Sequence, residues 1–250
     1  MPVSLLFHDV FACDPAESGF CSPAANRYKL SSREFEAQLR GVGAIGKVRL
    51  TFDDGGVSYY TLIADALEAL GVRGYCFVTT DFVGGQRFLT PAQIRELDAR
   101  GHVIGTHSAS HPLRFSSLSP AQMRREWLQS RLALEDLLGH AVTTGSVPGG
   151  YFSRAVAHSA ADAGLQLLFN SEPVTSTSAV DGCSIAGRYA IRRGAAPDFS
   201  ARLTCEAPWR RWVEWASWNA KGVVKPLCGA SYPRIADWIK SRVPDARIRA

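Results

Sequence analysis

The sequence predicts one α/β domain built as a distorted (β/α) barrel. Three observations carry that expectation. Apolar, β-prone runs alternate with helical patterns through most of the chain, which implies a parallel sheet covered by helices. The number of such repeats favours a barrel. An open doubly wound sheet is the alternative, but its glycine-rich dinucleotide fingerprint is absent. With 250 residues, 46% hydrophobic and 20% charged, the chain is long enough and apolar enough to bury a core without staples.

The elements follow in order. Val3 to Phe7 reads as a strand, and Ser31 to Leu39 as a helix start, with Ser31 and Glu34 spaced as a capping box and Phe35 and Leu39 on one face. Val48 to Phe52 is the next strand, followed by a helix from about Tyr60 to Leu70 that Gly71 can close. Tyr75 to Val78 is a strand, and Thr90-Pro91 opens a helix with Thr as N-cap and Pro in the first helical position. After a strand at His102 to Gly105, Ser119-Pro120 opens the longest helix, closed by Gly139. Ala141 to Val147 is a weaker strand, Ser153 to Ala163 is helical, and Leu165 to Phe169 is again a strand. Residues 175–187 read as a loop, Tyr189 to Ile191 as a short strand, and Pro208 to Ala220 as a Trp-rich helix.

The formal charge of +5 and pI near 9.0 are mildly basic and select no partner by themselves. From Glu206 to Ala250 nine Lys/Arg stand against four Asp/Glu, so the expected division is a barrel over residues 1–205 and a basic helical extension over 206–250. In its helix Trp209, Trp212, Val213, Ala216 and Ala220 share a face that would pack on the barrel or lie at a membrane interface. The six cysteines form no C-x-x-C pair, which argues against a disulfide framework or thiolate zinc site. With neither a signal-peptide pattern nor a membrane-spanning run, a cytoplasmic protein is expected; packing of the Trp-rich helix on the barrel is the simpler reading, and peripheral contact at the inner membrane face is the alternative. The basic residues form no recognised nucleic-acid module.

The sharpest chemical signal is Thr51-Phe52-Asp53-Asp54-Gly55 at the end of a buried strand, where a parallel barrel carries its active site. Two adjacent carboxylates repel there, and a cation compensating one of them makes the pair tolerable. On an extended chain neighbours point in opposite directions, so one Asp is expected to bind metal and the other to face a water as base. The second signal is Gly105-Thr106-His107-Ser108-Ala109-Ser110-His111-Pro112. Histidines four apart sit on one face of a helical turn and, with one Asp, make a two-His, one-carboxylate set with open positions for water and substrate. Taken singly, Asp-Gly is a common turn and the histidines could be ordinary surface residues. His8, ending the first strand, should point near the site mouth, with a structural hydrogen bond as the simpler role. Arg188 and Arg192 could contact an anionic substrate, with a solvated basic face as the simpler expectation.

TFDDG and HSASH, about 50 residues apart, resemble the first two motifs of the polysaccharide deacetylase (NodB-homology) family, carbohydrate esterase family 4. FHDV, YKLSSREFEAQL and Val147-Pro148-Gly149-Gly150-Tyr151 resemble further parts of it, so that the similarity spans roughly residues 3–172. The resemblance implies a NodB-type distorted barrel that removes acetyl groups from sugars. It implies Asp53 as general base, and Asp54, His107 and His111 as ligands of one divalent ion. Zinc is the first choice, with cobalt, nickel, manganese and iron as alternatives. It also implies the Gly149 N–H as oxyanion donor, with Pro148, Gly150 and Tyr151 beside the sugar.

Three departures stand out. Ser146 occupies the place of an arginine that buttresses the base, no Asp-x-x-Asp-Trp lies near Asn170 to Val174, and the last histidine is His158, so the family's late acid is missing. The expected function is N-deacetylation of an amino sugar in a polysaccharide or glycan precursor, lipid-linked if the Trp-rich helix meets a membrane. The alternatives are an O-acetyl esterase and a catalytically impaired carbohydrate-binding protein on the same scaffold. Oligomeric state is not encoded in these motifs.

Overall fold

A computed structural model describes residues 2–42, 47–205 and 209–228, excepting the side chains of 221–228. The first strand, β1 (Ser4–Phe7), is followed by the short parallel pair β2 (Val10–Phe11) and β3 (Leu30–Ser31) and by helix α1 (Ser32–Arg40). Next come β4 (Arg49–Phe52), a π-helical run Tyr59–Ile63 leading into α2 (Ala64–Glu68), β5 (Tyr75–Val78) and α3 (Pro91–Ala99). β6 (Val103–Thr106), α4 (Pro120–Leu138), β7 (Thr144–Ser146), α5 (Arg154–Asp162) and β8 (Leu167–Phe169) continue the alternation. The chain closes with β9 (Thr177–Val180), β10 (Cys183–Ala186), β11 (Tyr189–Ala190), α6 (Phe199–Thr204) and α7 (Trp209–Cys228).

The capping boxes form as the sequence implies: Ser31 with Glu34, Thr90 with Gln93 and Ser119 with Gln122 exchange side-chain and backbone bonds. Gly139, at φ 75°, ends α4 in the left-handed region. Strand order is β11-β1-β4-β5-β6-β7-β8-β10-β9, parallel throughout except for the β9–β10 hairpin. Among the described residues no pairing joins β9 to β11, so the curled sheet is a distorted barrel with an open seam. Strands buried on both faces explain the unbroken apolar runs: Leu5, Leu6 and Phe7, or Cys76, Phe77 and Val78, are all buried. His102 is buried in this packing, where its Nδ1 accepts from Gly74 N–H (3.2 Å) and meets Tyr59 Oη (2.8 Å), while Nε2 meets Glu68 (3.0 Å).

One expectation fails. Residues 175–187 are a hairpin, with β10 paired in parallel to β8 through Ile185↔Leu168. Asp181 (φ 49°) and Gly182 (φ 82°) supply the paired left-handed residues that a tight hairpin turn needs. The expected boundary between barrel and extension falls at 205/206, beside residues 206–208, and these together with 229–250 lie outside the described residues. Of the helix face expected to pack, Trp209 and Trp212 are exposed by 58% and 64%. Arg210 instead lies over the Phe199 ring and pairs with Glu214.

Candidate metal centre and active site

The strand ends bring the two motifs together. β4 delivers Asp53 and Asp54, and β6 delivers His107 two strands away. One ligand atom each from Asp54, His107 and His111 lies within 4.8 Å of the others. Asp54 Oδ1 stands 3.4 Å from His107 Nε2 and 3.6 Å from His111 Nε2. These gaps are long for hydrogen bonds of good geometry. They are close to the roughly 3.3 Å that separates tetrahedral ligands on bonds of about 2.0 Å. The donor set therefore fits a small divalent ion.

The route to convergence differs from the expected one. Ser108 (φ 64°) and His111 (φ 53°) are left-handed, so the second motif is a tight loop and not a helical turn. Ser108 Oγ accepts from His111 N–H, Thr106 Oγ1 accepts from Ser108 N–H, and Ala109 O accepts from Asp81 N–H, which together hold the loop. Asp54, at φ 81°, is left-handed as well, so the pleat alternation expected of Asp53 and Asp54 does not apply. Both carboxylates face His107, Asp53 Oδ2 at 4.0 Å from its Nε2. Strained backbone at three adjoining positions is typical of sites where function overrides propensity.

Electrostatics suit cation binding. Burial would raise the Asp54 pKa, but the imidazoles of His107, His8 and His111 hold it well below the carboxylate range. Burial and the neighbouring His107 push His111 down to about 4, so its ring is neutral at pH 7. Burial opposes the charging of His107, yet Asp53 and Asp54 outweigh it and shift its pKa upward. His107 Nδ1 meets the Ser146 carbonyl oxygen at 2.9 Å; that oxygen only accepts, so the proton sits on Nδ1 and Nε2 is free to ligate. Phe20 packs on the His111 ring, centroids 4.9 Å apart, and walls this side of the site.

Asp53 is fully buried and braced by Arg188, which corrects the expectation of a solvated arginine: Arg188 has no exposed surface. Its Nη1 donates to Asp53 Oδ1 (2.7 Å) and Thr51 Oγ1 (3.2 Å). Its Nη2 donates to Asp53 Oδ2 (2.9 Å) and Ser146 Oγ (2.7 Å), and Nε donates to Asn170 O (2.9 Å). Ser146 Oγ in turn donates to Asp53 Oδ2 at 3.0 Å. Ser146 thus leaves room for a guanidinium that enters from the far end of the chain. Burial would raise the Asp53 pKa, but Arg188 and His107 hold it below its usual value.

His8 follows β1, whose Phe7 pairs with Phe52, so it lies beside the Asp pair and helps to lower the pKa of both carboxylates. Contrary to the expected structural hydrogen bond, its Nδ1 is enclosed with no partner, and its ring packs on Tyr28 at 4.8 Å. His158 pairs with Asp181 at the hairpin turn, away from the site residues. Gly149 (φ 64°) follows β7 in the loop Pro148–Gly150, beside the exposed Tyr151 and the carbonyl of Leu113, itself 88% exposed. Pro148 is buried beneath this loop and Gly150 borders Ser171.

The profile of the family described as polysaccharide deacetylase matches residues 42–168. The chain is 26% identical over 146 residues to the Bacillus subtilis protein YxkH, described as a polysaccharide deacetylase, with 58% of this chain and 50% of that protein covered. It is 33% identical over 108 residues to a chitin deacetylase of Pestalotiopsis sp, covering 42% of this chain and 34% of the other. The chain thus spans half or less of these relatives. In fold it is similar to the Streptococcus pyogenes deacetylase PplD in complex with acetate, with TM-score 0.67 and 20% identity over 82% of this chain and 98% of that one. Among the described residues no helix is long and apolar enough to cross a membrane. The profile covers half of the sequence and both aspartate and histidine motifs, and on that ground the chain belongs to the polysaccharide deacetylase family, the hydrolases of carbohydrate esterase family 4.

Proposed function

We propose that the chain hydrolyses the N-acetyl amide of an amino sugar within a glycan, using a divalent ion, zinc by first preference, held by Asp54, His107 and His111. The observation that carries this reading is the meeting of those three ligand atoms with the braced Asp53 beside them. When bound, the ion would supply Lewis acidity and make a coordinated water easier to deprotonate.

The protein's own groups supply the rest. Asp53, kept ionised by Arg188, is the base that takes the water proton. The guanidinium fixes the orientation of both carboxylate oxygens, so the lone pairs it leaves free set the direction of proton transfer. The Gly149 N–H is the proposed donor to the developing oxyanion, and glycine lets the substrate come close. Tyr151 and Leu113, both exposed and both bordering Gly149, are the proposed apolar contacts of the sugar. Protonation of the leaving amine, the role for which no late histidine exists, is assigned in this reading to His8, which lies beside the Asp pair. Arg188 and His8 fill the two roles whose absence favoured an impaired binding scaffold.

The test is acetate release from chitohexaose, with metal content measured on the same preparation. Asp53→Asn should keep its ion yet lose about 10²–10⁴-fold in kcat. Unchanged turnover would remove Asp53 from the base role, and a wild-type protein without stoichiometric metal would remove the proposal. Release from acetylated xylan but not from chitohexaose would favour the O-acetyl esterase reading.

A further inference from the structure

A cleft of about 540 Å³ opens beside the site, lined by Asn26, Arg27, Tyr28, Arg192 and Arg193 among others. It adjoins the reaction centre, because the Tyr28 ring that lines it packs on His8 at 4.8 Å. Arg192 lies over the same Tyr28 ring at 5.2 Å, and Arg193 over Phe11 at 4.8 Å with its Nε donating to Lys29 O. These contacts preorganise two guanidiniums on aromatic faces. Arg27 is exposed between them, tied in through its carbonyl, which accepts from Arg193 N–H.

Among the described residues Arg27, Arg192 and Arg193 form no ion pair, in contrast to Arg100, Arg131, Arg188, Arg202 and Arg210. Glu34, whose oxygens accept from Ser31 and from Gly194 N–H, is attracted to Arg193 but forms no ion pair with it. The order of strands places the cleft on the path of a polymer. Along the β11-β1-β4-β5-β6-β7 edge stand Arg192, His8, the Asp pair, the His motif and then Gly149 with Tyr151. One end of that line is apolar and the other is cationic.

We infer that the Arg27–Arg192–Arg193 cleft is a substrate subsite for an anionic substituent, a carboxylate or a phosphate, on a sugar neighbouring the one deacetylated. The substrate is then an acidic glycan. This inference rests on the deacetylase reading for its placement but not for its binding chemistry. Arginine matches either oxyacid with paired donors, and its stacking on Tyr28 and Phe11 lowers the ordering cost of that pairing.

Three acetylated probes of equal length separate the cases: chitohexaose (neutral), a hyaluronan hexasaccharide (carboxylate) and an N-acetylglucosamine oligomer joined by phosphodiesters. Wild-type kcat/KM should favour one acidic probe over chitohexaose by about tenfold or more at low salt, and the favoured one identifies the group. The ratio should fall towards one in the R27A/R192A double variant and at about 0.5 M salt. Equal kcat/KM on all three probes, or a preference that survives the double substitution, overturns the subsite.

Binding of an oligogalacturonate hexamer, followed by calorimetry, needs no turnover. If no probe releases acetate but the hexamer binds and the double variant weakens it about tenfold, the subsite stands and the deacetylase reading falls. Competition by a single-stranded oligonucleotide as strong as by oligogalacturonate would reduce the cleft to a general polyanion surface and overturn the proposal.

Discussion

Arg188 uses all five of its N–H groups on Asp53, Thr51, Ser146 and Asn170, which makes it the most committed side chain at the site. Removing it would leave Asp53 buried without its principal counter-charge. Arg188→Met should cost about 3–5 kcal/mol, read from the urea midpoint of the metal-free protein. The R188M/D53N double variant should recover most of that loss, because no charge is then left stranded; an unaltered midpoint in R188M would refute the bracing role. His8 has a different signature. On chitohexaose His8→Gln should lose about a hundredfold in kcat, whereas on 4-nitrophenyl acetate, whose leaving group needs no proton, it should lose less than about tenfold. Equal losses on both substrates would place His8 in structure or metal binding. The aspartate and histidine motifs were legible in the sequence because their spacing is diagnostic. Arg188 and His8 were not, because an isolated arginine or histidine carries no periodic or spacing signal and only the fold brings it to the site.

At the scale of the element, the hairpin of β9 and β10 explains how Arg188 was lost to sequence reading. Asp181-Gly182 flanked by Ser178, Val180, Cys183 and Ile185 was a hairpin signal, but the polar Thr-Ser run before it masked the alternation. With residues 175–187 read as a loop, nothing aimed residue 188 inward. In the structure β10 pairs with β8, and Gly187 then passes so close to the Glu172 carbonyl that a Cβ would meet it at 2.4 Å. Two alanine substitutions should therefore separate. Gly182→Ala, at a left-handed position with open space around it, should cost roughly 1–2 kcal/mol and leave turnover nearly intact. Gly187→Ala must shift backbone and should lower both stability and kcat; kcat equal to wild type would show that the strand does not aim the arginine. The helices from α1 to α5 were legible to within a few residues because starts such as Ser119 with Gln122 are written in local side chains, whereas α6 went unread and α7 runs eight residues past its expected end.

For the molecule as a whole, pH sensitivity enters through the packing between helices and sheet. Burial holds the His102 pKa below its usual value, although Glu68 pulls the other way. Below about pH 6.5 the unfolded chain takes up a proton there that the folded chain refuses, so stability falls as pH drops through that range. His102→Gln should show a smaller decrease in urea midpoint between pH 7 and pH 5 than wild type; an equal decrease would assign the loss to other groups. The barrel itself was readable because alternation of strand and helix is a whole-chain property, whereas the open seam depends on pairings that no local pattern records.

The position of one guanidinium also bears on what counts as the working unit. Everything that the family profile matches ends at residue 168, twenty positions before Arg188. A chain halted at Phe169 would already carry every recognisable motif and still lack the arginine that braces Asp53. Arg188 comes from the segment beyond β10, so a barrel missing its last three strands would keep the aspartate and histidine motifs and lack the guanidinium that pairs with Asp53.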